Sequence, residues 1–248
     1  MGQRSNAEHL GLRPLAAELS QSLLAWWEAH GRKDPALKPW MFTKDGSWPE
    51  PHEHLNVLEC WIAEVMLQQT QLQVVLPYWG RWMQAFPTLE SLAAAEEQAV
   101  LLRWQGLGYY SRARRLHSAA RLLLAQIAGD SSDLALWPQE LDVWLALPGI
   151  GRSTAGGILS SAFNSSLAIL DGNVRRVLAR LMAHPRPPMR DQALFWTWSE
   201  ALIAAAPGRG RDLNQALMDL GATLCTPCLL YTSPSPRDQR GSRMPSSA

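Results

Sequence analysis

The stretch Leu147-Pro148-Gly149-Ile150-Gly151-Arg152-Ser153-Thr154 reads as a tight glycine turn that opens a helix. Ile169-Leu170-Asp171-Gly172-Asn173 follows as a loop that delivers one aspartate to the start of another helix. Gly149 and Gly151 have no Cβ, so the backbone can take φ > 0 and approach a ligand closely. A helix beginning near Arg152 presents free N–H groups and its positive end to whatever lies beyond the turn, which suits an anion such as phosphate. The turn is not a Walker loop, because Arg152 replaces the lysine and Ala146 stands where the first glycine belongs. By residue types alone, a helix corner without any ligand fits equally well.

Outward from this hairpin the chain is helical in period. Residues 15–30 carry Leu15, Leu19, Leu23 and Trp26–Trp27 at helical spacing, closed by Gly31. A loop rich in Pro, Lys and Trp is expected over 32–54, then helices over about 55–68 and 72–85. Thr88 caps a short helix, and Glu96–Gln105 forms another that stops at Gly106. Residues 109–128 give the cleanest stripe, and helices near 138–146, 152–162, 172–183, 191–205 and 212–223 complete the series. No convincing strand is found, so the fold class is all-α.

At 248 residues, 47% apolar and 18% charged, the sequence describes an ordinary globule with one large domain or two modest ones. The net charge of +1 hides an asymmetry: residues 1–102 sum to −5 and residues 103–190 to +6. Every cation after Lys44 is an arginine, whose planar fork suits phosphate. The amino terminus lacks an apolar h-region and no run approaches membrane-spanning length, so no membrane partner is expected. Three cysteines are too few for a secreted disulfide framework, which points to a reducing, cytoplasmic setting.

Two carboxylates stand out. Glu64 lies beside the apolar stripe of helix 55–68, where Trp61, Val65 and Met66 would desolvate it, raise its pKa and suit it to general acid work. Gln68 and Gln69 follow, with donors and acceptors for a base edge. Asp171 is an N-cap by position, and amide donors would keep it ionised. A protonated glutamate opposite an ionised aspartate is the pair used to break glycosidic bonds. Gly106-Leu107-Gly108-Tyr109-Tyr110-Ser111-Arg112 would place Tyr109 as a wedge in a base stack, with Arg112, Arg114 and Arg115 on the phosphates. Each residue also has a plain structural reading: a surface glutamate, a helix cap, a core aromatic, a solvated basic face.

The stretches 64–71 (EVMLQQTQ), 106–112 (GLGYYSR), 147–155 (LPGIGRSTA), 170–177 (LDGNVRRV) and 214–221 (NQALMDLG) stand in the order found in MutY-type adenine DNA glycosylases, of the helix-hairpin-helix base-excision repair superfamily. The chain resembles that family over about residues 15–227. The resemblance implies two helical lobes with DNA in the cleft between them: a six-helix lobe over 55–166, and a second lobe made of 15–54 plus 167–228. It further implies that Glu64 protonates N7 of a flipped-out adenine, that Asp171 stabilises or covalently traps the sugar cation, and that Asn173 assists it. Gln69 and Tyr109 look like the residues inserted at the lesion. Gly149 and Gly151, with Arg152 and Ser153, look like the phosphate-binding hairpin, and Gln68 joins the DNA contacts.

In the related endonuclease III glycosylases a lysine that forms a Schiff base and cuts the strand looks to hold the place of Ser153; serine cannot do that chemistry. The activity implied is therefore monofunctional excision of adenine mispaired with 8-oxoguanine or guanine, by a monomer acting on double-stranded DNA. The family's four cysteines, spaced C-x6-C-x2-C-x5-C, hold a 4Fe-4S cluster. Here Cys225 matches the first, Cys228 follows three residues on, and none comes after it. Two thiolates fall short of four, so the cluster is not expected to assemble. Residues 229–248 are dense in Ser, Pro and Arg and read as a disordered tail foreign to the family. Within these residues no counterpart of the family's 8-oxoguanine-recognising C-terminal domain is expected. Two alternatives stay open: a non-catalytic helix-hairpin-helix DNA-binding fragment, and an endonuclease III-like pyrimidine glycosylase.

Overall fold

The computed structural model describes residues 4–127, 129–185 and 188–227. The expected tail at 229–248 lies outside them. The described residues form eleven α-helices and three short 3-10 turns, with no strand. The chain divides into two compact units, one continuous (Arg32–Ser165) and one assembled from the chain up to Gly31 and from Ser166 onward.

The continuous unit holds α2 (Val57–Leu67), α3 (Leu72–Ala85), α4 (Leu89–Ala94), α5 (Glu97–Trp104), α6 (Ser111–Leu124), α7 (Leu141–Leu145) and α8 (Arg152–Phe163). Local chemistry starts several of them. Asn56 caps α2 by accepting from the Glu59 N–H, and Thr88 and Ser91 form a reciprocal capping box on α4. Indoles fill the interior. Trp61 meets Trp144 edge to face at 5.5 Å, and Trp82 meets Trp104 the same way at 5.4 Å. Residues 32–54 group with this unit, whereas the sequence placed them with the other lobe. Their ties explain it: the Cys60 thiol donates to the Trp40 carbonyl, Trp40 packs on Trp79, and the Asn164 amide donates to the Pro51 carbonyl.

The discontinuous unit holds α1 (Arg4–His30), α9 (Gly172–Leu181), α10 (Gln192–Ala204) and α11 (Gly210–Thr223). Distant parts of the chain are stitched through buried polar groups. Trp27 Nε1 donates to Asp219 at 3.1 Å, Ser20 to the Leu202 carbonyl at 2.9 Å, and Ser199 to the Ile169 carbonyl at 2.7 Å. Each satisfies a polar group that burial would otherwise leave costly. Helices α9 and α11 approach so closely that a Cβ on Gly221 would lie 2.6 Å from the Cβ of Asn173 and 3.1 Å from its backbone. Gly221→Ala should therefore destabilise. Overpacking against backbone costs about 1–3 kcal/mol, against a helix-propensity gain of about 1 kcal/mol. A lower midpoint in urea or thermal unfolding checks it; an unchanged or raised midpoint would show that the two helices can part without cost.

Candidate active site

The hairpin alternates as its sequence suggests. Leu147 and Ile150 are buried, while Gly149, Gly151 and Arg152 face outward. Only Gly149 uses the left-handed region, at φ +83°; Gly151 is extended and caps α8. Gly149 is tight for a second reason, since a Cβ there would sit 3.0 Å from the Arg115 Cβ. Gly151 has open space where its Cβ would be, leaving the α8 amides approachable. Arg152 and Ser153 stand in the first turn of that helix.

Glu64 sits half-buried on α2, with Trp61, Ile62, Val65 and Met66 around it in sequence all buried. Its carboxylate lies against the backbone of α8: a Cβ on Gly157 would fall 2.7 Å from Glu64 Oε2 and 2.8 Å from Cδ. Gly157 thus supplies the room the carboxylate occupies. Sequence reasoning missed it, because a mid-helix glycine signals close packing without naming what packs. Gln68 caps the end of α2, and its amide donates to Thr154 Oγ1 at 3.1 Å, tying α2 to the hairpin helix.

The glycine-tyrosine loop differs from expectation at one arginine. Helix α6 starts at Ser111 rather than 109, because Tyr109 takes φ +49°, outside any helix. Gln69 takes φ +59° at the end of α2. Both are exposed, Tyr109 at 62%. Arg112, expected on a phosphate, is instead buried at 8% exposure, and its guanidinium donates to five backbone carbonyls and the Thr70 hydroxyl. A guanidinium so occupied is not offered to DNA. Arg114 pairs with Glu97 at 3.2 Å on the surface, which leaves the exposed Arg115, its stem across Gly149, as the cation beside the hairpin.

In the other unit Asp171 caps α9: Oδ1 accepts from the Val174 N–H at 2.7 Å, and Oδ2 from the Asn173 amide at 3.2 Å. The orientation of that amide is fixed by Arg176, whose Nη2 donates to Asn173 Oδ1 at 2.7 Å and to the Gly221 carbonyl at 2.6 Å. An arginine has no acceptor, so the Asn173 oxygen must face it and the nitrogen must face Asp171. Arg176 was also missed by sequence reasoning, although its i+3 spacing from Asn173 is a legible signal.

The 4Fe-4S cluster implied by the resemblance needs four thiolates, and the whole sequence has three cysteines. Cys60 is buried in the continuous unit. Cys225 is buried in the other, its sulfur accepting from Arg180 at 3.0 Å. Cys228 lies outside the described residues. Among the described residues no three His, Cys, Asp or Glu side chains gather as a metal group. These residues do not fit the cluster.

The all-helical units and the hairpin are those of a known class. The HhH-GPD superfamily of base excision DNA repair proteins matches residues 62–200, and the chain belongs to it. Adenine DNA glycosylase of Mus musculus is 40% identical over 206 residues, covering 83% of this chain and 38% of that protein. The Homo sapiens enzyme of that name is 41% identical, covering 83% and 36%, and that of Buchnera aphidicola subsp. Baizongia pistaciae is 36% identical, covering 83% and 52%. The chain thus spans about two fifths of the mammalian relatives. By fold it is similar to a thermostable thymine-DNA glycosylase, with TM-score 0.67 at 23% identity over 88% of this chain and 90% of that one. A non-covalent endonuclease III–DNA complex gives TM-score 0.60 at 21% identity, over 78% and 89%.

Proposed function

We propose that the chain is a monofunctional adenine DNA glycosylase, hydrolysing the N-glycosidic bond of adenine mispaired with 8-oxoguanine or guanine in double-stranded DNA. The observation that carries this reading is the Asp171 assembly. One carboxylate is gripped by a helix amide and by an asparagine whose orientation an arginine fixes, a built group rather than a plain cap. The name shared by the relatives supports it.

An adenine can be attacked only once extruded from the stack, and it leaves poorly until a ring nitrogen is protonated. Glu64 gives its proton to N7. The C1′–N9 bond then breaks with both electrons passing to the base, and Asp171 answers the positive charge left on the sugar. Water adds to C1′, and the proton it releases restores the acid. No amine takes part, so the strand is left uncut.

The test is adenine release under single-turnover conditions from duplexes holding adenine opposite 8-oxoguanine or guanine. Release without borohydride trapping supports the reading; binding without release leaves a DNA-binding fragment, and trapping would require an amine nucleophile. Arg115 supplies an independent check on the anchor. Each phosphate contact contributes about 0.9 to the slope of log K against log salt, so Arg115→Ala should flatten that slope by about one. A slope equal to wild type would remove Arg115 from the interface.

A further inference from the structure

Arg112 occupies a place where a cation is disfavoured. It is the second residue of α6, at the positive end of a helix whose first turn holds no acid. What holds it there is a set of acceptors from two other segments. Nη1 donates to the carbonyls of Val65, Met66 and Gln68 at 3.1, 2.9 and 2.5 Å, at the C-terminal end of α2, where carbonyls have no partner within the helix. Nη2 donates to Thr70 Oγ1 at 3.1 Å and to the Leu107 and Gly108 carbonyls at 3.3 Å each. The guanidinium also lies 5.3 Å from the Trp104 ring centre and 5.5 Å from that of Tyr109. Trp104 Nε1 donates to the same Gly108 carbonyl at 2.9 Å.

The groups it grips bracket two strained residues. Gln69, at φ +59°, stands between Gln68 and Thr70, both bonded to Arg112. Tyr109, at φ +49°, directly follows Gly108, also bonded to it. Non-glycine residues take this backbone reluctantly and keep it only where their surroundings over-determine it. Both side chains project outward. One buried side chain therefore sets two exposed, strained turns that are forty residues apart in sequence.

We propose that Arg112 is the positioning residue of base extrusion: without touching DNA, it locks Gln69 and Tyr109 into one rigid pair that enters the duplex together. This rests on the proposed role of those two residues at the lesion. Lysine cannot do the same, because a compact ammonium lacks the planar fork that reaches both segments.

The experiment compares wild type with Arg112→Lys, and both again in a Gln69→Ala/Tyr109→Ala background. The readouts are thermal unfolding, salt-dependent affinity for undamaged duplex, fluorescence of a 2-aminopurine at the target position, and single-turnover adenine release. Arg112→Lys should keep the affinity and salt slope, lose the fluorescence rise, and lose about 100-fold in release, the scale of a misplacement of about 1 Å. In the double-alanine background it should cost nothing further, since residues acting through one another are not additive. Equal loss in both backgrounds, unchanged release, or a changed salt slope would each overturn the proposal. If Arg112→Lys does not fold, Thr70→Val removes one acceptor from a half-buried position and should give a smaller loss, again silent in the double-alanine background. Absence of release by wild type would instead overturn the glycosylase reading itself.

Discussion

Glu64→Gln should sharply slow adenine release while leaving the protein folded and bound to duplex DNA. Glutamine matches glutamate in shape, so it fits the space that Gly157 leaves on α8 and keeps the contact between α2 and α8. What it lacks is a proton to transfer. General acid catalysis contributes about 10²–10⁴-fold, equivalent to about 3–5 kcal/mol of barrier, and that is the loss expected in the single-turnover rate constant. Affinity for the mispaired duplex should stay within a few-fold, because the acid acts on the base after extrusion. A variant that releases adenine at the wild-type rate would remove Glu64 from the chemistry and leave it as a helix glutamate against a glycine.

The second large effect is expected at Asp171. Asn is as good an N-cap as Asp, so Asp171→Asn keeps the bond from the Val174 N–H and the start of α9. The substitution removes the negative charge and, because its new amide nitrogen meets the nitrogen of Asn173, the bond from that side chain too. Loss of one preorganised electrostatic partner costs about 10²–10³-fold, and the charge on the sugar has no other proposed carboxylate to answer it. Release should fall by at least that factor while the protein stays folded, the cap bond from Val174 being kept. A fall in stability with full residual activity would mean that capping is the whole of its role. The Asp171 and Glu64 variants also separate the two steps: an easier leaving group should rescue the loss of the acid more than the loss of the aspartate.

The helices were legible because their signals are local. Apolar residues at helical spacing gave α2, α3 and α8 nearly to their ends, Thr88 and Asp171 gave caps, and Gly106 gave a stop. Where boundaries moved, a single backbone choice moved them. Tyr109 reads as the first residue of a helix until its left-handed φ forces α6 to begin at Ser111. The Pro- and Trp-rich segment 32–54 carries no period, so its attachment could be set only by what Trp40 and Pro51 meet.

The sequence by itself determined an all-helical chain, the glycine hairpin, and the places of Glu64 and Asp171 on their elements. Each of these depends on neighbours within about one helical turn, and those neighbours are written next to one another. Tertiary structure alone decided which cations face outward. Arg112, Arg114 and Arg115 are equivalent as letters, yet one is buried among carbonyls 44 to 47 residues upstream, one is paired with Glu97, and one lies exposed across Gly149. A guanidinium carries five donors and goes where the acceptors are. Unbonded carbonyls at the end of α2 exist only once that helix has formed and packed.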